Sequence, residues 1–247
     1  MIKKRLIGVI TVKNSIAVQS MEYSHYLPIG APEVLIENLE RWGVDEIIVL
    51  SIDRSQSKLG PDLKLISRIA SMGLTTPLSY GGGIRSLEDA VSVIQSGAER
   101  VVLDSLLIKD LNQALQISRV IGAQALIASM PLAFIKNKLM HFDYIKKSHL
   151  QVSDHILDAI NSRKISEVMI IDHKNEGLKS SFQEELLNHF AKKCNLIAFG
   201  GVSTPKQVKK LMGIGSIVGV GVGNFLNYKE HSVDLFKGNL KGSVLRS

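Results

Sequence analysis

Two glycine-rich segments occupy matching places in the two halves of this 247-residue chain. Tyr80-Gly81-Gly82-Gly83-Ile84-Arg85-Ser86 is echoed by Phe199-Gly200-Gly201-Val202-Ser203-Thr204. Each follows a short apolar run (76–79 and 196–198), opens a helix-like stretch, and leads to a second apolar run (101–103 and 217–222). A repeat of this size, with glycine at the end of a strand, predicts a duplicated half-barrel carrying two anion-binding turns. Glycine lets a phosphate approach the backbone, and the start of the following helix offers free N–H groups. The competing reading of each glycine pair is a tight strand-to-helix turn that holds no ligand.

The rest of the chain fits that frame. Further β-like runs bring the set of starts to Leu6, Ile47, Thr76, Val101, Ala125, Val168, Leu196 and Ile217. Segments 32–42, 61–72, 87–96, 111–120, 154–162, 182–193 and 205–212 read as amphipathic helices, several opening with Ser, Thr, Asp or Pro. Regular alternation implies a parallel sheet, and eight units imply closure. The expected fold is α/β: a (β/α)8 TIM barrel of two half-barrel repeats, one domain over 1–247. Chemistry in such a barrel sits at the strand C-termini. Two long connections fall there, 13–31 and 131–152, and both read as functional loops. The second has room for a small hairpin around 139–142 and Lys146-Lys147.

Composition narrows the partners. The net charge is +7, but Lys and Arg are scattered and only 5% of residues are aromatic. That argues against nucleic acid and for an anionic small substrate or a partner protein. The lone Cys194 excludes a disulfide scaffold and fits a reducing, cytoplasmic setting. No apolar run reaches the ~18 residues of a membrane span, and the apolar stretch 6–12 reads as a strand rather than a signal peptide. His141, His149 and His155 lack metal-ligand spacing, so no metal or other cofactor is expected. Asp53, Asp104, Asp172 and Glu176 are the acids near strand C-termini and the candidates for proton chemistry, with His173 beside Asp172 as a possible base.

Taken together, Lys4-Arg5, Val12-Lys13-Asn14, Gly43-Val44-Asp45-Glu46, Gly81 to Ser86, Gly97-Ala98, the 171–177 segment with Leu178-Lys179-Ser180, and Gly200-Gly201 resemble the cyclase subunit of imidazole glycerol phosphate synthase. The resemblance covers nearly the whole chain. It implies a barrel paired with a glutaminase, whose ammonia crosses the barrel to a substrate bearing two phosphates. Under it, Gly82, Gly83 and Ser105 form one phosphate half-site, with Asp104 where the family has an amide. Gly177, Gly200, Gly201, Gly223 and Asn224 form the other, narrowed by Phe199. A carboxylate at position 104 repels a phosphate unless it is protonated or turned away.

The departures matter as much. The family's two catalytic carboxylates lie at the ends of strands one and five. Here those positions hold Thr11 and, depending on a one-residue choice of alignment, Met130 or Pro131. None of these relays protons at neutral pH. The loop-one lysine is also missing, with Gln19 nearby. By contrast, the family's ammonia gate at the barrel floor persists as Arg5, Glu46, Arg100 and Glu167, with arginine in place of lysine at 100. A plain solvated barrel bottom is the competing reading of these four.

Lost acids beside a kept gate resemble a paralogue group linked to amidation of surface-glycan sugars, which also lacks the first acid, carries Tyr before the triple glycine, and ends soon after the last barrel unit, as here at Ser247. The expectation is therefore a synthase-like subunit of a glutamine-dependent amidotransferase complex, serving acetamidino-sugar formation in lipopolysaccharide-type biosynthesis. Its partners would be a class I-like glutaminase and a separate sugar-modifying amidotransferase. Two alternatives stand: a histidine-pathway cyclase with relocated acids, and a non-catalytic phosphosugar-binding or scaffold barrel.

Overall fold

The computed structural model describes residues 4–179, 182–227, 232–238 and 240, so Ser180 and Ser247 lie outside them. The first half runs β1 (Arg5–Lys13), β2 (Ile16–Met21), β3 (His25–Gly30), α1 (Pro32–Arg41), β4 (Glu46–Ser51), α2 (Leu63–Ala70), β5 (Leu78–Gly81), α3 (Leu87–Gln95), β6 (Arg100–Leu103), α4 (Ser105–Lys109) and α5 (Leu111–Ile121). The second half runs β7 (Leu126–Ile135), β8 (Lys138–Asp143), β9 (Ser148–Gln151), α6 (Asp154–Asn161), β10 (Glu167–Asp172), a 3-10 segment (Glu184–His189), β11 (Asn195–Phe199), α7 (Pro205–Met212), β12 (Ile217–Val222), α8 (Asn224–Asn227) and α9 (Ser232–Gly238).

Eight of these strands pair in parallel in the order β1, β4, β5, β6, β7, β10, β11, β12, and β12 returns to β1. The predicted (β/α)8 barrel is the observed fold. Its strands are apolar on both faces because both are covered. Along β1, Ile7 and Val9 enter the interior, while Leu6 and Ile10 face the helices. The interior cluster also takes Ile48, Leu50, Ile127, Met169, Ile171 and Ile197. Each such side chain gains about 1.5–3 kcal/mol on leaving water.

The helix starts are set by side chains. Asp62, Ser86, Asp110 and Thr204 accept the N–H groups of Leu65, Asp89, Gln113 and Gln207, and Pro32 and Pro205 stand in the first turns of α1 and α7. One helix expectation fails: 182–193 contains a 3-10 segment, Glu184–His189, instead of an α-helix. Its approach is tied down by Asp172, whose carboxylate accepts the Gln183 N–H at 2.8 Å. Leu186, Leu187 and Phe190 then reach the core from the tighter winding.

The two long loops are also not loops. After β1 the chain turns back at Asn14-Ser15, both with positive φ, into the β2–β3 hairpin. After β7 it turns at Lys136-Asn137 in the same manner into β8 and β9. The hairpin expected inside the second connection is therefore present but larger, with β7 itself as one of its strands. Both turns are the two-residue left-handed kind that matches strand twist. The half-barrel repeat thus extends to the extensions of strands one and five.

Candidate functional site

Arg5, Glu46, Arg100 and Glu167 are the first residues of β1, β4, β6 and β10. Their side chains meet across the barrel floor. Arg5 contacts Glu46 at 2.9 Å and Glu167 at 2.7 Å; Arg100 contacts Glu46 at 3.3 Å and Glu167 at 2.9 Å. Signs alternate around a closed ring. Ser79 donates a further hydrogen bond to Glu46 at 2.7 Å, and Arg100 Nε donates to the Gln124 carbonyl. The four side chains are between 2% and 13% exposed. Burial works against the Arg5 charge, but Glu46 and Glu167 outweigh it and hold its pKa above the ordinary value. Above the ring lies the apolar interior, beginning with Ile7, Ile48 and Ile127.

At the opposite end a cavity of about 910 Å³ opens at the strand C-termini. Thr11 stands here in β1, buried and paired with Leu50 and Val18. The choice at strand five resolves by face. Ile127 belongs to the interior and Ser129 lines the cavity, whereas Met130 packs against the helices. Alternation places Pro131 on the inward face, opposite Ile171. The inward positions at the ends of strands one and five therefore carry a hydroxyl and a proline ring.

The hairpins supply a wall of rings, Tyr23, Phe142 and Tyr144, that sequence reading missed, beside the His173 it had singled out. Tyr23 from the β2–β3 turn, Phe142 from β8, Tyr144 from the following turn and His173 after β10 all line the cavity. Phe142 stacks on His173 at 3.9 Å, Tyr144 stands edge-on to Phe142 at 5.2 Å, and Tyr23 meets Tyr144 at 5.1 Å. His149 joins the cluster at 5.1 Å from Phe142. The alternation of Leu139, His141 and Asp143 against Met140 and Phe142 was the available signal for β8. Nothing local marked Tyr23.

The predicted acids separate. Asp53 and Asp104 line the cavity; Asp172 and Glu176 do not. Asp53 accepts the Asn14 N–H at 2.9 Å. Asp104 Oδ1 lies 3.3 Å from His141 Nε2; burial pushes its pKa up and His141 pulls against that. Asp172 makes no base pair with His173. Its carboxylate accepts from Asn175 and from the Gln183 N–H, and burial raises its pKa. Glu176 is buried beneath the β2–β3 hairpin, accepting from Ser20 Oγ at 2.8 Å and the Tyr23 N–H at 3.2 Å. Burial lifts its pKa to about 7, against the pull of those bonds. His173 is only 8% exposed, its Nδ1 has no partner, and burial with His149 and Lys174 lowers its pKa to about 4.

The two glycine half-sites also differ. Gly82, Gly83 and Ser105 border the cavity, but a Cβ on Gly82 would lie 2.2 Å from the Ser51 carbonyl oxygen, so close backbone packing alone already requires that glycine. Gly177, Gly200, Gly201, Gly223 and Asn224 do not border it. A Cβ on Gly177 would strike the Ser20 carbonyl at 2.2 Å, and one on Gly223 would touch the Phe199 ring at 3.3 Å. Asn224 spends its amide on Ser20, accepting from its N–H and donating to its carbonyl. The β2–β3 hairpin thus packs on Gly177 and Asn224, while Gly200 lies against the Asp172 backbone, so the two half-sites have unlike surroundings.

Among the described residues no group of three or more His, Cys, Asp or Glu can hold a metal, and no helix is long and apolar enough to cross a membrane. His155 lies away from this cluster, bordering a separate flank cavity with Lys109 and Lys164.

A sequence profile of the family described as histidine biosynthesis protein matches residues 5–232. A protein of Vibrio vulnificus (strain YJ016), provisionally named imidazole glycerol phosphate synthase subunit hisF2, is 28% identical over 250 residues, spanning 99% of this chain and 91% of its own. A Leptospira interrogans protein, also provisionally named as the HisF subunit of that synthase, is 27% identical over 93% of this chain and 92% of its own. The HisF subunit of Methanocaldococcus jannaschii is 24% identical over 96% and 95%.

Proposed function

The chain belongs to the histidine biosynthesis protein family, and from that premise we propose that it is the barrel subunit of a glutamine-dependent amidation complex. One barrel domain docks a glutaminase beneath Arg5, Glu46, Arg100 and Glu167 and passes ammonia through its apolar interior. The acceptor is a surface-polysaccharide sugar, whose acetamido group a separate sugar-modifying amidotransferase converts to an acetamidino group. The observation that carries this reading is the closed floor ring below inward positions that hold Thr11 and Pro131 instead of acids. Uncharged ammonia crosses an apolar interior more easily than ammonium does, because no charge has to leave water. The cytoplasm, where glutamine is abundant, is the proposed setting.

The test is glutamine hydrolysis by a class I-like glutaminase from the same organism, with and without this chain. Strong stimulation by the wild type, lost or uncoupled in Glu167→Ala, is the expected result. No stimulation overturns the reading and leaves a stand-alone phosphosugar-binding or scaffold barrel.

A second reading is favoured by the relatives' names and by the Asp104–His141 contact at the cavity wall. It makes the chain a cyclase of histidine biosynthesis with its acid moved to strand four. Rescue of a cyclase-deficient histidine auxotroph, abolished by Asp104→Asn, would establish it.

A further inference from the structure

A second cavity, of about 710 Å³, opens on the flank of the barrel between the α4–α5 corner, the β8–β9 hairpin and α6. Its volume lies within the roughly 300–1,000 Å³ usual for small-molecule sites. Half-buried Leu111, Leu115 and Leu150 line it beside buried Leu107 and Ile156, so an apolar body seated there takes them out of water. Lys109 and Lys164 also line it, are exposed, and have no ion-pair partner among the described residues. Asp110 borders the cavity too, but its carboxylate is taken by the Gln113 N–H at the start of α5. Asp158 is the one carboxylate left over, against two lysines and His155.

Ser153, the residue before α6, lines the same cavity and makes no side-chain cap, which leaves the first N–H groups of that helix to an anion. Asp154, in the first turn of α6, is not part of the lining. What separates this place from a bare helix start is His141, which is 2% exposed and lines the flank cavity from β8. Its Nε2 lies 3.3 Å from Asp104 Oδ1, and Asp104 lines the mouth cavity on the other side of the wall. Its Nδ1 has no hydrogen-bond partner among the described residues and is the nitrogen left for the flank cavity. One imidazole thus joins two cavities.

We propose that the flank cavity binds a small organic oxyanion, a carboxylate or phosphate head on a short apolar body, and that His141 passes its charge to Asp104 at the barrel mouth. An anion that accepts from Nδ1–H makes Nε2 more basic, and Nε2 then draws the proton from Asp104. Imidazole and carboxylic acid become imidazolium and carboxylate, with no proton gained or lost overall. The pair is poised for this: burial raises the Asp104 pKa, His141 pulls against it, and Asp143 on β8 adds to the rise. β7, which pairs with β8 at Leu132, carries no charged residue, and β9 brings only His149. At the mouth the charged neighbours are Lys13, Glu22, Asp53, Lys147 and Lys174. Linkage runs both ways, so a mouth ligand that prefers an ionised Asp104 tightens the flank anion by the same factor. The coupling is independent of which activity the mouth performs.

The experiment is titration of the full chain with phenylacetate and phenyl phosphate, followed by calorimetry and by nitrogen NMR of the histidine rings. Acetate and inorganic phosphate carry the head without the body, and benzyl alcohol carries the body without the head. At least one of the two aryl anions is expected to bind about 10-fold tighter than all three controls, and the preferred one identifies the head. Removing both exposed cations, Lys109→Ala with Lys164→Ala, should weaken it about 10-fold with the melting curve unchanged. Lys174→Ala, at the mouth, should leave it alone. On binding, the His141 nitrogens should move towards the imidazolium pattern. In Asp104→Asn, which has no carboxyl proton to give, that movement should vanish and affinity should fall about 5-fold. Aryl anions that bind no tighter than the controls overturn the proposal, as does affinity lost in Lys174→Ala but kept without Lys109 and Lys164. Binding that leaves the His141 spectrum unmoved, or unaltered by Asp104→Asn, overturns the coupling.

Discussion

The two ends of the barrel treat their polar groups in opposite ways. At the floor, Arg5, Glu46, Arg100 and Glu167 satisfy one another, and each has two oppositely charged neighbours. At the mouth, His173 Nδ1 is buried without a partner, and Asp104 and Glu176 are pushed towards their neutral forms by burial. The floor is paired throughout by charge, although Glu46 Oε2 has the Arg5 ion pair and no aligned hydrogen bond. The mouth carries a cost that only a bound ligand or a shift in pH relieves. Strained polar groups of this kind concentrate where proteins bind and react.

Breaking the floor should have the largest effect. Glu46→Ala leaves two guanidinium groups sharing the one carboxylate of Glu167, with an uncompensated positive charge beneath an apolar interior, and the expected loss is about 3–5 kcal/mol in denaturant unfolding. A loss below about 1 kcal/mol would reduce the ring to an ordinary solvated barrel bottom. Next, Gly82→Ala drives a Cβ to within 2.2 Å of the Ser51 carbonyl at a φ of +124°, and should cost about 3 kcal/mol. An unchanged melting temperature would show that the turn can rearrange, leaving ligand contact as the reason for glycine there.

The mouth should reveal itself through pH. Glu176 is raised from 4.5 to about 7, so the folded chain keeps a proton that the unfolded chain releases. Its stabilising share is full below about pH 4.5 and lost as pH climbs through about 7, by on the order of 2–3 kcal/mol. His173 acts in the opposite sense. Lowered from 6.5 to about 4, it leaves stability intact above pH 6.5 and erodes it as pH falls towards 4. Glu176→Gln, which mimics the protonated carboxyl, should abolish the loss between pH 5 and 8 while sparing the acid limb. Parallel curves for wild type and variant would show that Glu176 titrates normally. The smallest effect is expected of Asn224→Ala, about 1 kcal/mol globally, with faster amide exchange confined to the β2–β3 hairpin.

The same contrast explains what the sequence disclosed. The floor was legible because each member is the first residue of a strand whose apolar run is unmistakable. Once eight strands are counted, four charges at four strand starts must converge. The mouth was not legible because the hairpins carry it. His25-Tyr26-Leu27-Pro28 is mostly exposed in β3, so no buried face imposes a period of two, and the Pro argued against a strand. The turns at Asn14-Ser15 and Lys136-Asn137 use positive φ without glycine, which removes the usual hairpin signal. Position 131 needed the register: only the pairing of β7 with β10 shows that Pro131, and not Met130, shares the inward face. The glycine pairs looked equivalent in sequence, and Ser20 with Asn224 made them unequal by a contact spanning 204 residues.

The floor ring has one further consequence, which concerns timing. Because every member bridges two others, no side chain can swing aside without stranding a pair of opposite charges, so the four move together or not at all. A lysine in such a ring can slacken its hold by giving up a proton, but an arginine stays charged at any pH a protein survives. If, as proposed, the ring gates a passage, Arg5 and Arg100 as both cationic corners keep it from leaking open by chance deprotonation. On that proposal it would work as a mechanical interlock, and the push that opens it would come from the partner docked below.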